Sequence, residues 1–600
     1  KYAYPKLRSA TASEFMDYVT ERYGDKIPAY RAAYPDWWTD GFGSAARETA
    51  ASRKTHSDMT AVEGLLSMAV LKDKCLPQAT HQQIEHIHES LLFYDEHTFG
   101  ASESVSDPLC ENSQVQWGEK SAYAWEAVKR TQMLYETSVG LLQGDLRRGK
   151  NPTLTIFNTL NWKRSEMLTV YIDFEVIPRN QFFEITDFQG HSLKVQPIRY
   201  RREGCYYAIF AEDIPPMGYK TFEIVFKQPS TDTGTITINN ASIENHFYKL
   251  QLNPDKGTIQ SLYDKELNCE LVDSSSPWEL GAFIYEKLGN RDQLAQYRLD
   301  DYNRTGLSEC RIIDSSNGPI YQRILLQGKS PGTDEAFGVN LEIKLYHDTK
   351  RIELEYAIKR LPETDPSGIY VAFPFQLPEG KLAFDVQGGT VISGKNQLEG
   401  TSTDWNTVQN FVSVQNNQAQ IIIGSSLIPL YQLGDINLGK FQYQKQYERP
   451  HVYSWVMNNY WNTNFKASQE GEFRWSYHLT SSVDPSNNLA TKFGWSSRIP
   501  LYARVMPTGT ENHKPTEYSA FHFEKDNFLM TSCTPSKEEG YILLNIREID
   551  GKRTNLRILN EDGQTIPFTI VNAIEEKLEN ETSEHIFEGY QNKFIKIKRF

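Results

Sequence analysis

The spacing of apolar residues changes once along this chain, near Gly144–Pro152, and that change limits what it can fold into. An α-helix returns side chains to one face every 3.6 residues, whereas a strand does so every two. Upstream, Ile84, Ile87, Leu91 and Tyr94 fall at helical spacing within His81–Tyr94. Ser44–Leu71 and Glu119–Val139 are likewise almost free of Gly and Pro, the latter preceded by Gly118 and ended by Gly140. Short connections between three such stretches predict an antiparallel three-helix bundle. Downstream, Phe222, Ile224 and Phe226 alternate with Thr221, Glu223 and Val225. A hairpin is expected at Leu341–Tyr356, where Leu341, Ile343 and Leu345 face Ile352, Leu354 and Tyr356 across the turn His347–Lys350. Strands of this pattern bury one face and wet the other, as antiparallel sandwiches do.

The expected fold class is therefore multidomain, α followed by all-β. The boundaries expected are a helical domain at 1–150, a small β-sandwich at 151–230, a large β-sandwich at 236–510 and a C-terminal β-domain at 516–600. The polar stretch Lys227–Thr235 reads as a linker, and a second break falls near Pro507–Pro515. With 600 residues, one core would be too large, so several domains are needed.

Composition excludes some functions. Apolar content of 39% with 23% charged residues is globular. The net charge of −14 would repel phosphate backbones and anionic lipid, so no nucleic-acid or membrane-surface partner is expected. No apolar run approaches the roughly 20 residues of a membrane span. The six cysteines lack CxxC spacing, which argues against a cysteine metal site. A chain that starts at Lys1 with no signal-like segment is expected to owe its start to processing or a chosen boundary, and a periplasmic or secreted setting is expected ahead of a cytoplasmic one.

Several blocks, in order, resemble glycoside hydrolase family 38, the α-mannosidase-like enzymes. Pro28–Arg53 (PAYRAAYPDWWTDGFGSAARETAASR) and Leu91–Ser102 (LLFYDEHTFGAS) are similar to that family's helical middle domain. Phe157–Ser165 (FNTLNWKRS), Ile214–Phe222 (IPPMGYKTF), Asn245–Lys265 with its DKGTIQSLYDK, and Asn458–Phe465 (NNYWNTNF) resemble its β region. The resemblance implies a galactose-mutarotase-like large sandwich. It also implies a zinc-dependent retaining exo-glycosidase whose nucleophile, acid/base carboxylate and most zinc ligands sit in an N-terminal α/β domain, expected upstream of Lys1. The lone His-x-Asp of this chain, His56-Ser57-Asp58, lies inside a predicted helix and reads as a helix face.

Three groups of residues are candidates for a site. The resemblance places His97 where the middle domain donates a histidine to zinc, at the loop after the second helix; otherwise it reads as a hydrogen-bonded loop histidine. Thr98 stands where many mannosidases carry an aspartate that binds sugar hydroxyls, which bears on which sugar is taken. Trp38 and Asp40 suit a sugar site, because an indole stacks on a ring's C–H face and a carboxylate accepts hydroxyls. They suit equally a Trp pair, Trp37 and Trp38, closing the bundle with Asp40 as a helix cap. Asn458, Asn459, Tyr460, Trp461 and Asn464 form a polar-aromatic cluster that could face a polyol or could form a turn over aromatic core residues. Asp95 and Glu96 read as exposed carboxylates, and His81, His86 and His88 as surface residues, since their spacing is not the i,i+4 of helical zinc sites. The expected partner is a carbohydrate substrate, and zinc is the expected cofactor, its site complete only with the N-terminal domain. The rival is a non-catalytic carbohydrate-binding or scaffold protein.

Overall fold

Helix α1, Ala12–Tyr23, opens the molecule with a capping box in which Thr11 and Glu14 satisfy each other's end groups. In this computed structural model, residue 4 and residues 7–228 and 241–600 are described. Part of the expected linker, 229–235, lies outside the described residues. A 3₁₀ turn, Thr39–Ala45, then leads into α2 (Ala46–Leu71), α3 (Thr80–Asp95) and α4 (Glu111–Leu142).

The bundle packs where the periodicity places it. Ile84, Ile87, Leu91 and Tyr94 of α3 are buried, and Met59, Val62 and Leu66 of α2 meet Ile84, Ile87, Leu91 and Leu134 in one core. Helix α4 departs from expectation. Gly118 and Gly140 lie inside it, and Cys110 caps its start. A glycine costs a helix interior about 1 kcal/mol, which the buried stripe Lys120, Ala124, Ala127, Thr131 and Leu134 outweighs through packing.

Beyond residue 152 the sheets are antiparallel. The large sandwich stacks a nine-stranded sheet on a six-stranded one, with the core residues Ile343, Leu354, Tyr356, Ile369, Val371 and Tyr477 between them. The expected hairpin forms from Val339–Tyr346 and Ile352–Arg360, with Leu341 opposite Tyr356 and Ile343 opposite Leu354. The six-stranded sheet includes Phe283–Leu288, Ser367–Phe373 and Val452–Asn458 as neighbours. Its outer face carries a second core of Ile284, Tyr370, Tyr453 and Trp455, against which Trp37 and Phe42 pack.

The small β unit is built from two distant parts of the chain. Thr153–Asn158 pairs on one edge with Gly218–Lys227 and on the other with Tyr502–Met506. The expected boundaries put residues 502–506 at the end of the large sandwich. They return instead because Leu501, Ala503 and Val505 complete the apolar core of Leu154, Ile156, Phe222 and Ile224. The return runs through a helix, Asn487–Arg498. The C-terminal sheet, with Phe528–Pro535 and Tyr541–Glu548 adjacent, packs Phe528, Met530 and Ile542 against Leu65, Met68 and Ala69 of α2. No helix among the described residues is long and apolar enough to cross a membrane.

Candidate functional site at the junction of bundle and sandwich

The 3₁₀ turn before α2 is held by the sandwich. Gln469 accepts a hydrogen bond from Ala46 N–H at 2.8 Å and donates to the carbonyls of Gly43 (2.8 Å) and Asn458 (3.0 Å). It thereby takes the role of a missing helix cap, since Ala45 offers no side chain to the start of α2. Arg47 donates to the Glu470 carbonyl at 2.7 Å. The loop after α3 is stitched to the loop after Val452–Asn458: Phe99 N–H donates to the Asn464 carbonyl, Asn464 N–H to that of Ala101, and Ser104 to that of Phe465. Lys120 of α4 closes the C-terminus of α3 by donating to the carbonyls of Phe93 (2.8 Å) and Glu96.

Three separated segments are thus brought together. The Trp38 indole, 48% exposed, stacks on Trp461 with centroids 5.1 Å apart and planes 16° from parallel. The His97 ring stands edge-on to Trp38 at 5.7 Å. Trp461 in turn rests on Phe465 at 4.8 Å. His97 is exposed, and its Nδ1 lies 2.9 Å from the Glu96 carboxylate. On one side it lines an open depression of about 360 Å³ with Glu96, Thr98 and Lys120.

Asp40 lies beneath, only 5% exposed, with Oδ1 lacking a hydrogen-bond partner. Burial pushes its pKa up to about 8, against a modest opposing pull from the Trp461 indole and Gly41 N–H. The Trp461 N–H also lacks a well-formed bond. Burial thus favours the neutral acid, and Asp40 is the cap of neither the turn nor α2. Trp37 is half-buried, wedged against Trp405 at 5.6 Å and the partly exposed Phe441 at 5.4 Å.

The asparagine cluster divides. Asn459 is not free for a ligand: its amide donates to the carbonyls of Glu363, Asp365 and Ala467, and its oxygen accepts from Ser367 N–H at 2.7 Å. Asn458 is buried and donates to the Asp40 carbonyl at 3.0 Å. Asn464 holds a positive φ of 64° at the stitched loop, as asparagine tolerates. Tyr460 is buried, and its hydroxyl donates to Glu286 at 2.6 Å. Asp95, half-buried, bonds His56 at 2.7 Å and Ser52 at 2.8 Å, so it is engaged within the bundle. His88 bonds Glu63 at 2.6 Å, a pairing that its surface reading missed.

Sequence reasoning also missed Glu286, which is fully buried and anchors the loop through Tyr460, Tyr370 (3.2 Å) and Arg304 (2.5 Å). Its only signal was a glutamate amid the apolar run Phe283–Leu288. Lys120 gave no signal, because one lysine on a helix looks like any solvated one.

For zinc the donors fall short. Among the described residues no three of His, Cys, Asp and Glu are grouped to hold a metal. The residues present therefore do not fit a complete zinc site, and His97 stands as a single exposed imidazole beside Glu96.

The Alpha mannosidase middle domain family matches residues 36–142, and the Glycosyl hydrolases family 38 C-terminal domain matches residues 243–441. No curated protein sequence matches the chain. Among solved structures, an alpha-mannosidase from Enterococcus faecalis V583 superposes with a TM-score of 0.73 at 13% identity, covering 98% of this chain and 72% of that one. A glycosyl hydrolase family 38 protein from Enterococcus faecalis gives 0.71 at 14% identity, with coverage of 97% and 73%. At such identity the superpositions speak for the fold, and the two domain matches speak for the family. With its helical bundle and most of its large sandwich so matched, the chain belongs to glycoside hydrolase family 38.

Proposed function

We propose that this chain forms one wall of the sugar site of a zinc-dependent, retaining exo-glycosidase of the α-mannosidase type, which removes terminal sugars from glycans. The observation that carries the reading is the convergence of Trp38, Trp461 and His97 from three separate segments. The half-exposed Trp38 face offers a platform for the C–H side of a sugar ring. His97 stands exposed beside this platform with its Nδ1 2.9 Å from the Glu96 carboxylate, and its imidazole would be one of the metal's ligands. In this reading, the other metal donors and the two carboxylates of the reaction lie outside these 600 residues; the two Enterococcus faecalis chains extend beyond the part covered here. One carboxylate attacks the anomeric carbon and the other serves as acid and then base. This chain's share is to bind and orient the sugar.

Metal analysis and a chromogenic α-mannoside assay test the reading. The 600-residue chain is expected to bind no stoichiometric zinc and to turn over no substrate, since one ligand cannot offset the cation's dehydration. The protein complete with the remaining domain does both, and His97→Ala strips its metal. Robust turnover by the chain alone overturns the assignment and directs the search for catalytic carboxylates to Asp95 and Glu96.

A further inference from the structure

A cavity of about 600 Å³ lies at the far end of the strand that carries Asn458. That strand, Val452–Asn458, runs from His451 and Tyr453 at the cavity to Asn458 under the Trp38 stack. At about 3.3 Å per residue the two places are roughly 20 Å apart. The volume falls within the range usual for small-molecule sites.

Its wall is built by the segment 434–451. Gly434 adopts φ +85°, and a Cβ there would come within 2.4 Å of Tyr447. The Tyr447 hydroxyl accepts from Leu382 N–H at 3.0 Å, Gln442 N–H donates to Thr403 at 3.0 Å, and Gln446 N–H donates to the Gln442 side chain at 2.7 Å. The segment is therefore pinned to the sandwich.

At the base sits His451, 3% exposed. Its Nε2 bonds the Asp273 carboxylate at 2.9 Å, and Tyr453 lies beside it with centroids 6.4 Å apart. Asp273 accepts only, so Nε2 carries the proton and Nδ1 keeps a lone pair, for which no partner exists among the described residues. Burial lowers the pKa of His451, which keeps the ring neutral. Around it the charges are largely cancelled: Lys440 pairs with Asp435 at 2.8 Å and Arg449 with Asp273 at 3.3 Å, while Glu448 has no ion pair among the described residues. An anion would meet surplus negative charge there. An apolar ligand would strand the Gln442 and Gln446 amides, the carboxylates and the imidazole. A hydroxyl both donates and accepts, and so matches lone pairs and N–H groups set side by side.

We propose that this cavity is a second carbohydrate-binding site, taking a neutral pyranoside whose hydroxyls bond His451, Glu448 and the Gln442 and Gln446 amides. The site is separate from the Trp38 wall and does not depend on it. It would hold a further unit of a branched glycan, or a second glycan.

Calorimetric titration of the 600-residue chain with a panel of methyl pyranosides tests it, with inorganic phosphate as the anionic probe. Wild-type protein and the Trp38→Ala, His451→Gln, Glu448→Gln and Gln446→Ala variants are compared, with melting curves to establish folding. Glu448 and Gln446 are exposed, so their variants remain informative if His451→Gln fails to fold. Binding of at least one pyranoside that survives Trp38→Ala, but weakens at least tenfold in Glu448→Gln or Gln446→Ala and in any folded His451→Gln, is the expected result. Binding lost in Trp38→Ala and unchanged in the cavity variants overturns this proposal while leaving the Trp38 wall intact. No pyranoside binding in wild type, or binding of phosphate at the cavity in its place, overturns it as well.

Discussion

Trp38 and Asp40 stand two residues apart and do opposite things. Trp38 keeps half its indole in solvent, so its removal should spare the fold. On the proposed reading, Trp38→Ala in a protein that includes the catalytic part is expected to weaken glycoside binding by about 1–3 kcal/mol, the usual scale for a lost stacking platform. Steady-state kinetics would show this as a raised KM, and wild-type kinetics in a folded variant would make the ring structural only. Asp40 is instead a stability element. Its folded pKa, about 8, lies above the unfolded value near 3.8. Well below pH 3.8 both states are protonated and burial of the carboxyl is not penalised. As pH rises from 4 toward 8 the unfolded state sheds its proton while the folded state holds on, so stability falls across that window and levels off above it. Asp40→Asn keeps the shape without the charge. Its melting temperature should exceed wild type by more at pH 8 than at pH 5, and an equal gain at both would refute the protonated reading.

At the scale of elements, the site depends on how tightly the 3₁₀ turn and the loop after Val452–Asn458 fit. A Cβ at Gly41 would lie 1.7 Å from the Phe465 ring, on which Trp461 stacks. Gly41→Ala must push that ring or the turn aside. It is expected to cost about 1–3 kcal/mol of stability, the scale of overpacking, and to weaken sugar binding through Trp461. Tyr460→Phe tests the other anchor. It removes a hydroxyl donated to the fully buried Glu286, leaving that carboxylate to Arg304 and Tyr370. The expected loss is about 1–3 kcal/mol in denaturant unfolding. An unchanged midpoint would mean that the network holds without the loop. A turn over aromatic core residues was one expected reading of this loop, but its anchors were not legible beforehand. Asn458–Phe465 drew notice as a cluster of amides and rings, but residue type does not say which side chains turn inward. Asn459, with both ends of its amide spent on backbone groups, looks in sequence the same as one facing solvent.

For the molecule as a whole, the return of residues 502–506 to Thr153–Asn158 ties the chain's β units together. A chain ending after residue 500 would leave Thr153–Asn158, buried along its whole length, as an open edge, and would strip Leu501, Ala503 and Val505 from the core behind it. Exposed apolar edges template aggregation. Such a truncated chain is expected to elute as aggregate in size-exclusion chromatography, where the full chain does not. A well-behaved monomer would show the returning strand to be dispensable.

What the sequence determined by itself is the class of its strongly periodic segments and the face they bury, though not that of the helix Asn487–Arg498, which falls in a stretch expected as strand. The period shift near Gly144–Pro152, the Ile84–Tyr94 stripe and the Leu341–Tyr356 hairpin all encode geometry at close range, where a residue's neighbours in sequence are its neighbours in space. The tertiary structure decided which distant pieces meet. The cap of α2 comes from Gln469, the lid of the small β core from residues 502–506, and the indole stack from Trp38 and Trp461. Such pairings are settled by burial and by the need to satisfy every buried N–H and C=O. Those demands can be weighed only once the whole chain has closed on itself.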